Sequence, residues 1–114
     1  MVWKIWQAQK SFSWEKSEWY PYWKVKEYLE TNDEKLLPCM HLNRGKEALV
    51  VVSSFKNEVS NCNLKINWGK MGFEWKNVEV KDVITDELLI PNEYGLKFEV
   101  LDNRWRMFLI KVKR

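Results

Sequence analysis

Along most of the chain, apolar and polar residues alternate with a period of two in short runs, and turn-forming residues separate the runs. One run breaks the rule. In Glu47 to Ser54 (EALVVVSS) the stretch Ala48-Leu49-Val50-Val51-Val52 is apolar, uncharged and mostly β-branched, the pattern of a strand buried on both faces. The other runs fall into place around it. Leu36 to Leu42 predicts a strand that Pro38 pushes toward an edge or a strand start. Asn43-Arg44-Gly45-Lys46 then forms a hairpin loop in which Gly45 takes the positive φ of a bulge-type turn.

Further on, Cys62, Leu64 and Ile66 alternate with Asn63, Lys65 and Asn67 as in a half-buried strand. Two glycines in Trp68 to Phe73 (WGKMGF) predict a compact turn or a short helical crossing between sheets. Val78, Val80 and Val83 alternate with charges, Leu88 to Ile90 is stopped by Pro91-Asn92, and Leu96, Phe98 and Val100 precede a closing strand from Trp105 to Val112. About seven short strands with turns at close spacing predict an all-β chain, an antiparallel β-sandwich of immunoglobulin-like or similar form.

Before these strands lies a different kind of sequence. Five of the eight tryptophans, Trp3, Trp6, Trp14, Trp19 and Trp23, fall in the first 29 residues, with Tyr20, Tyr22 and Tyr28 among them. Trp19 and Trp23 have the spacing of one helical face, but Pro21 lacks a donor and disfavours a helical Tyr20. An irregular or extended leader is expected, broken from the sheet by the polar stretch Glu30 to Lys35. The chain thus divides into an aromatic leader over 1–35, packed on the sandwich or on an upstream domain, and a sandwich over 36–114. Three roles stand open for the rings: completing the core, packing between domains, or stacking on a ligand.

Composition narrows the classes. At 114 residues, 31% charged and 46% hydrophobic, the chain suits one soluble globular domain, and no apolar run approaches the roughly 18 residues of a membrane span. A net charge of +3, with lysines interleaved among glutamates, forms no basic stripe, so neither nucleic acid nor membrane is an expected partner. The start, MVWKIWQAQK, lacks the pattern of a secretory or transit segment, and the compartment stays open. Cys39 and Cys62 lie on separate strands, and are either two free thiols packed as small hydrophobes or a bridge if those strands come close.

Catalytic groupings are missing from the pattern. His41 is the single histidine, between Met40 and Leu42, and reads as a hydrogen-bonded structural residue rather than a base. Cys39-x-His41 falls short of the three or four ligands a metal needs, and Gly69 and Gly72 lack the lysine and hydroxyl of a phosphate loop. No cofactor is implied. Carboxylate pairs such as Asp82 with Asp86 and Glu93 with Glu99 lie among apolar alternations and read as a solvated face. The positive site expectation is carbohydrate stacking on Trp68, Phe73 and Trp75, against the plainer reading that Trp68 and Phe73 plug the end of the sandwich. Trp75, flanked by Glu74 and Lys76, is expected to be the most exposed of the three.

Taken in order, these pieces resemble a known domain. The leader residues Trp19, Tyr22 and Trp23, the polar-glycine turn at 43–46, Ala48 to Phe55, Trp68 with Gly72, the segment Val80, Asp82, Thr85, Glu87, Leu89, and the closing Arg106, Leu109, Ile110 are similar to the C-terminal antiparallel β-sandwich that follows the (β/α)8 barrel in glycoside hydrolase-like bacterial proteins. One departure is Ser53-Ser54, where many relatives carry an asparagine before the aromatic. The resemblance implies a non-catalytic accessory domain whose partner is an upstream catalytic domain of the same polypeptide, since the catalytic carboxylates of such enzymes sit on the barrel. It implies no catalytic residue here. A carbohydrate-binding module and a free-standing protein-interaction domain are the alternatives. Trp14, Trp19, Tyr22 and Trp23 are the expected interface, through which an isolated chain would pair with its own copy.

Overall fold

A computed structural model describes residues 17–100 and 104–113. Its strands are β1 (Glu18–Tyr20), β2 (Leu29–Glu30), β3 (Leu36–Asn43), β4 (Glu47–Ser54), β5 (Ser60–Ile66), β6 (Val78–Asp82), β7 (Leu88–Leu89), β8 (Gly95–Val100) and β9 (Trp105–Val112). Between β5 and β6 come a one-turn helix α1 (Trp68–Met71) and a 3-10 turn (Trp75–Asn77). Six strands form one antiparallel sheet in the order β1-β3-β4-β9-β6-β7, and three form the other in the order β2-β5-β8. The seven strands expected after the leader are β3 to β9, and the fold is the antiparallel sandwich the alternation predicts.

β4 sits inside the larger sheet, flanked by β3 and β9 along nearly its whole length. That position explains its unbroken apolar run. Ala48, Val50 and Val52 are buried in the main core, while Leu49 is buried on the opposite face with Val83 and Met107. Across the main core, Met40 and Leu42 of β3, Val78 and Val80 of β6, and Phe108 and Ile110 of β9 share one cluster with Cys62, Leu64 and Ile66 of β5 and Leu96, Phe98 and Val100 of β8. The period of two thus delivers every second side chain to one shared interior. Phe98 and Phe108 meet across it with ring centroids 4.6 Å apart.

Turn chemistry behaves as the residues dictate. Gly45 has φ of 76° and the Lys46 N–H closes on the Asn43 carbonyl at 2.9 Å. Pro38 lies within β3 at a place where one flank is open, because β1 pairs only with Met40, His41 and Leu42. Ser54 uses its hydroxyl to accept the Lys56 N–H at 3.2 Å. Both cysteines are free thiols, and burial pushes the Cys62 thiol up to about 12.

Two features depart from expectation. The leader is not wholly irregular: β1 joins the larger sheet and β2 the smaller one, with a helical turn between them in which the Leu29 N–H reaches the Val25 carbonyl at 2.9 Å. Val25 and Leu29 are core residues. The second departure is Asp82, which is 3% exposed rather than on a solvated face. Its carboxylate accepts the Ile84 and Thr85 N–H groups and two donors of Arg106, so its buried charge is fully paired.

Candidate functional site

The α1 crossing and the turns around it build one end of the sandwich. Asn67 caps α1 by accepting the Lys70 N–H at 3.2 Å, and Gly72 ends it in the left-handed region with φ of 80°. A side chain at Gly72 would meet the Gly45 nitrogen at 2.8 Å, so the β3–β4 hairpin and α1 touch backbone to backbone. The Gly45 N–H accordingly donates to the Met71 carbonyl at 3.0 Å.

Arg44 fastens the same junction. Its guanidinium donates to the Lys70 carbonyl, to Glu18 at 3.2 Å and to the Tyr28 hydroxyl at 3.1 Å. Tyr20 completes the group, giving its hydroxyl proton to Glu18 at 2.6 Å. That hydrogen bond raises the Tyr20 phenol, whereas the neighbouring Tyr20 hydroxyl and the Arg44 guanidinium lower Tyr28. The leader is thereby tied to the α1 turn.

Beside this junction lies a cleft of about 770 Å³, walled by residues 26–30, 65–69, 73–76 and 93–94. All three aromatics expected from the sequence border it, in different roles. Trp68 and Phe73, each 5% exposed, are built into the core and form its floor, as the plainer reading of the sequence has it. The Trp68 indole N–H donates to the Asn92 carbonyl at 3.0 Å. Trp75 is half-buried on the 3-10 turn with the Lys76 ammonium 5.6 Å above its ring. Tyr94, which sequence reasoning passed over, also borders the cleft and is 70% exposed. Its signal was the Asn92-Glu93-Tyr94-Gly95 turn, with asparagine at the first position and glycine at the last. The charged lining comprises Lys26, Lys65 and Lys76 against Glu27, Glu30, Glu74 and Glu93.

The expected interface residues lie elsewhere, apart from Trp14, which is outside the described residues. Trp19 is 51% exposed and lies against His41 with ring centroids 4.5 Å apart. Tyr22 and Trp23, 49% and 65% exposed, meet edge to face at 5.1 Å. His41 shares a hydrogen bond with the Ser17 hydroxyl at 3.0 Å, and burial lowers its pKa. With Trp19 against its ring, His41 stands outside the lining of the cleft, and this pair is a structural contact. Among the described residues no group of three metal-ligating side chains comes together, and no helix is long and apolar enough to cross a membrane.

Fold and surface together define an antiparallel β-sandwich domain whose chemistry-bearing groups are spread rather than gathered. The family described as glycoside hydrolase 123, C-terminal domain, matches residues 1–102, and the chain belongs to that family. Its sequence likeness to the sandwich of glycoside hydrolase-like proteins is thus borne out. In fold it is similar to part of the alpha-amylase from Geobacillus thermoleovorans, solved in complex with acarbose, at 11% identity and a TM-score of 0.58. That match covers 87% of this chain and 19% of the amylase chain, so the chain spans about a fifth of that structure's length. None of the curated proteins matches.

Proposed function

We propose that the chain is a non-catalytic accessory domain of a larger carbohydrate-active protein, and that it caps and stabilises the catalytic domain of the same polypeptide. Family membership supports the setting. The observation that carries the docking role is the aromatic group Trp19, Tyr22 and Trp23, three large rings within five residues that are each about half exposed or more. A tightly packed sandwich with a complete core gains nothing from such exposure, and contiguous exposed apolar surface marks contact sites.

Two measurements test the reading. Purified chain incubated with nitrophenyl glycosides is expected to release no product, and turnover lost on substitution of one of its carboxylates would refute the non-catalytic role. In the complete polypeptide, Trp19→Ser with Trp23→Ser is expected to lower the melting temperature of the catalytic domain and expose the junction to proteolysis. An unchanged melting curve and digestion pattern would refute docking through these rings.

A further inference from the structure

We propose that the cleft bordered by Trp75 and Tyr94 binds a neutral saccharide. This goes beyond the docking role, since neither Trp19 nor Trp23 borders the cleft. Its volume of about 770 Å³ falls within the roughly 300–1,000 Å³ of small-ligand sites.

The rings ride on fixed backbone. Asn92 Oδ1 accepts the Tyr94 N–H at 2.8 Å and the Gly95 N–H at 3.1 Å, and the Tyr94 carbonyl accepts the Ile66 N–H at 2.8 Å. Trp75 opens a turn closed by the Asn77 N–H on the Glu74 carbonyl at 2.9 Å. The Trp68 indole bonded to Asn92 links the floor to the Tyr94 turn. An aromatic ring held this way loses little conformational entropy when a ligand lies on it.

The rim chooses the ligand class. Lys26, Glu30, Lys65 and Glu93 have no hydrogen-bond or ion-pair partner for their side chains in the described structure, although all border the cleft. Ammonium groups only donate and carboxylates only accept, so together they satisfy groups that do both, as sugar hydroxyls do. Three lysines against four carboxylates leave the lining nearly balanced, which disfavours polyanions and polycations alike. The C–H faces of a pyranose ring supply the apolar partner for Trp75 and Tyr94, and charged groups beside them discourage a wholly apolar ligand.

The test is an NMR titration of the 114-residue chain with maltotriose, galactotriose and chitotriose, with trigalacturonate as the anionic control and trilysine as the cationic peptide control. At least one neutral trisaccharide at millimolar concentration is expected to shift the Trp75 indole and the 93–95 amides saturably, with little dependence on salt. Tyr94→Ala is expected to weaken that binding about tenfold or more with the melting temperature unchanged, and Leu88→Ala, an exposed apolar change on β7, to leave it intact. Failure of all three neutral probes, equal binding by Tyr94→Ala, or tighter binding of trigalacturonate or trilysine would each overturn the proposal.

Discussion

Arg106 on β9 grips Asp82 at the end of β6 with two donors, Nε at 3.0 Å and Nη2 at 2.7 Å from the same carboxylate oxygen. The guanidinium also donates to the Glu99 carbonyl of β8 at 3.0 Å and lies 5.1 Å from the Phe108 ring centre and 5.6 Å from that of Phe98. One side chain therefore joins the two sheets. Because removing one partner of a buried pair strands the other charge, Arg106→Met is expected to cost roughly 3–5 kcal/mol, a large share of an ordinary stability of about 5–15. Urea unfolding measures it, and a loss below 1 kcal/mol would show that the backbone donors alone suffice.

The same pair sets an acid limit. Burial pushes the Asp82 carboxyl up, but the Thr85 N–H, the Arg106 guanidinium and the Ile84 N–H outweigh it and hold the group below its usual value. A folded-state value below the unfolded one means the stabilisation is complete above about pH 4 and is lost as pH falls through the lower folded value. Asp82→Asn should lower stability at neutral pH and flatten its decline in acid. An acid limb as steep in the variant as in the parent chain would assign that decline to other carboxylates.

Most of the sandwich was legible because alternation reports burial directly. The run in β4 announced a strand with two covered faces, and Leu49 and Val50 are buried on opposite sides of it. Asp82 was misread because alternation shows where a side chain points, not whether a partner from a distant strand waits there. Arg106 is 24 residues away. The leader was half legible: Pro21 correctly excluded a helix, yet nothing local reveals that Glu18–Tyr20 pairs with β3 or Leu29–Glu30 with β5. In the cleft, Trp68, Phe73 and Trp75 drew notice by ring chemistry alone. Tyr94 comes to it through a turn whose spatial neighbours lie far off in sequence.

Glycine substitutions separate a close approach from a tolerant site. A Cβ at Gly95, where φ is 146°, would stand 1.9 Å from the Leu64 carbonyl oxygen in the neighbouring strand β5. At Gly69 the nearest atom is the Asn67 side-chain oxygen at 3.9 Å, an ordinary contact. Gly95→Ala is therefore expected to destabilise well beyond the roughly 0.5–1 kcal/mol of an ordinary glycine–alanine difference, and Gly69→Ala to stabilise by up to about 1 kcal/mol. Thermal melting of the two proteins decides it, and similar effects at both sites would contradict the strand spacing.

Thiol chemistry follows from burial. Desolvation raises both thiols, and Cys62 is 0% exposed inside the core, so little thiolate exists at neutral pH and reagent has no approach to it. Native protein at pH 8 is expected to leave Cys62 unmodified by iodoacetamide for as long as the chain stays folded, with labelling appearing in urea. Mass spectrometry of digested samples reads the site. Rapid native labelling of Cys62 would mean that β5 opens far more often than its place between β2 and β8 implies.

The exposed aromatics make the last prediction, and the fold sharpens it. Truncation before Lys24 would remove β1 together with the rings, so loss of folding and loss of an interface would be confounded. Point changes avoid this. Trp23 touches Tyr22 and Trp19 lies against His41, contacts worth about 0.5–1.5 kcal/mol each, whereas neither ring belongs to the core. If these rings dock on another domain as proposed, the isolated chain is expected to self-associate through them, because a patch can meet its own copy across a two-fold axis. Trp19→Ser with Trp23→Ser should then yield a monomer whose unfolding free energy falls by no more than the two lost ring contacts. Sedimentation equilibrium and denaturant unfolding give both quantities. A parent chain that stays monomeric at high concentration, or a double variant that fails to fold, would remove these rings from the interface.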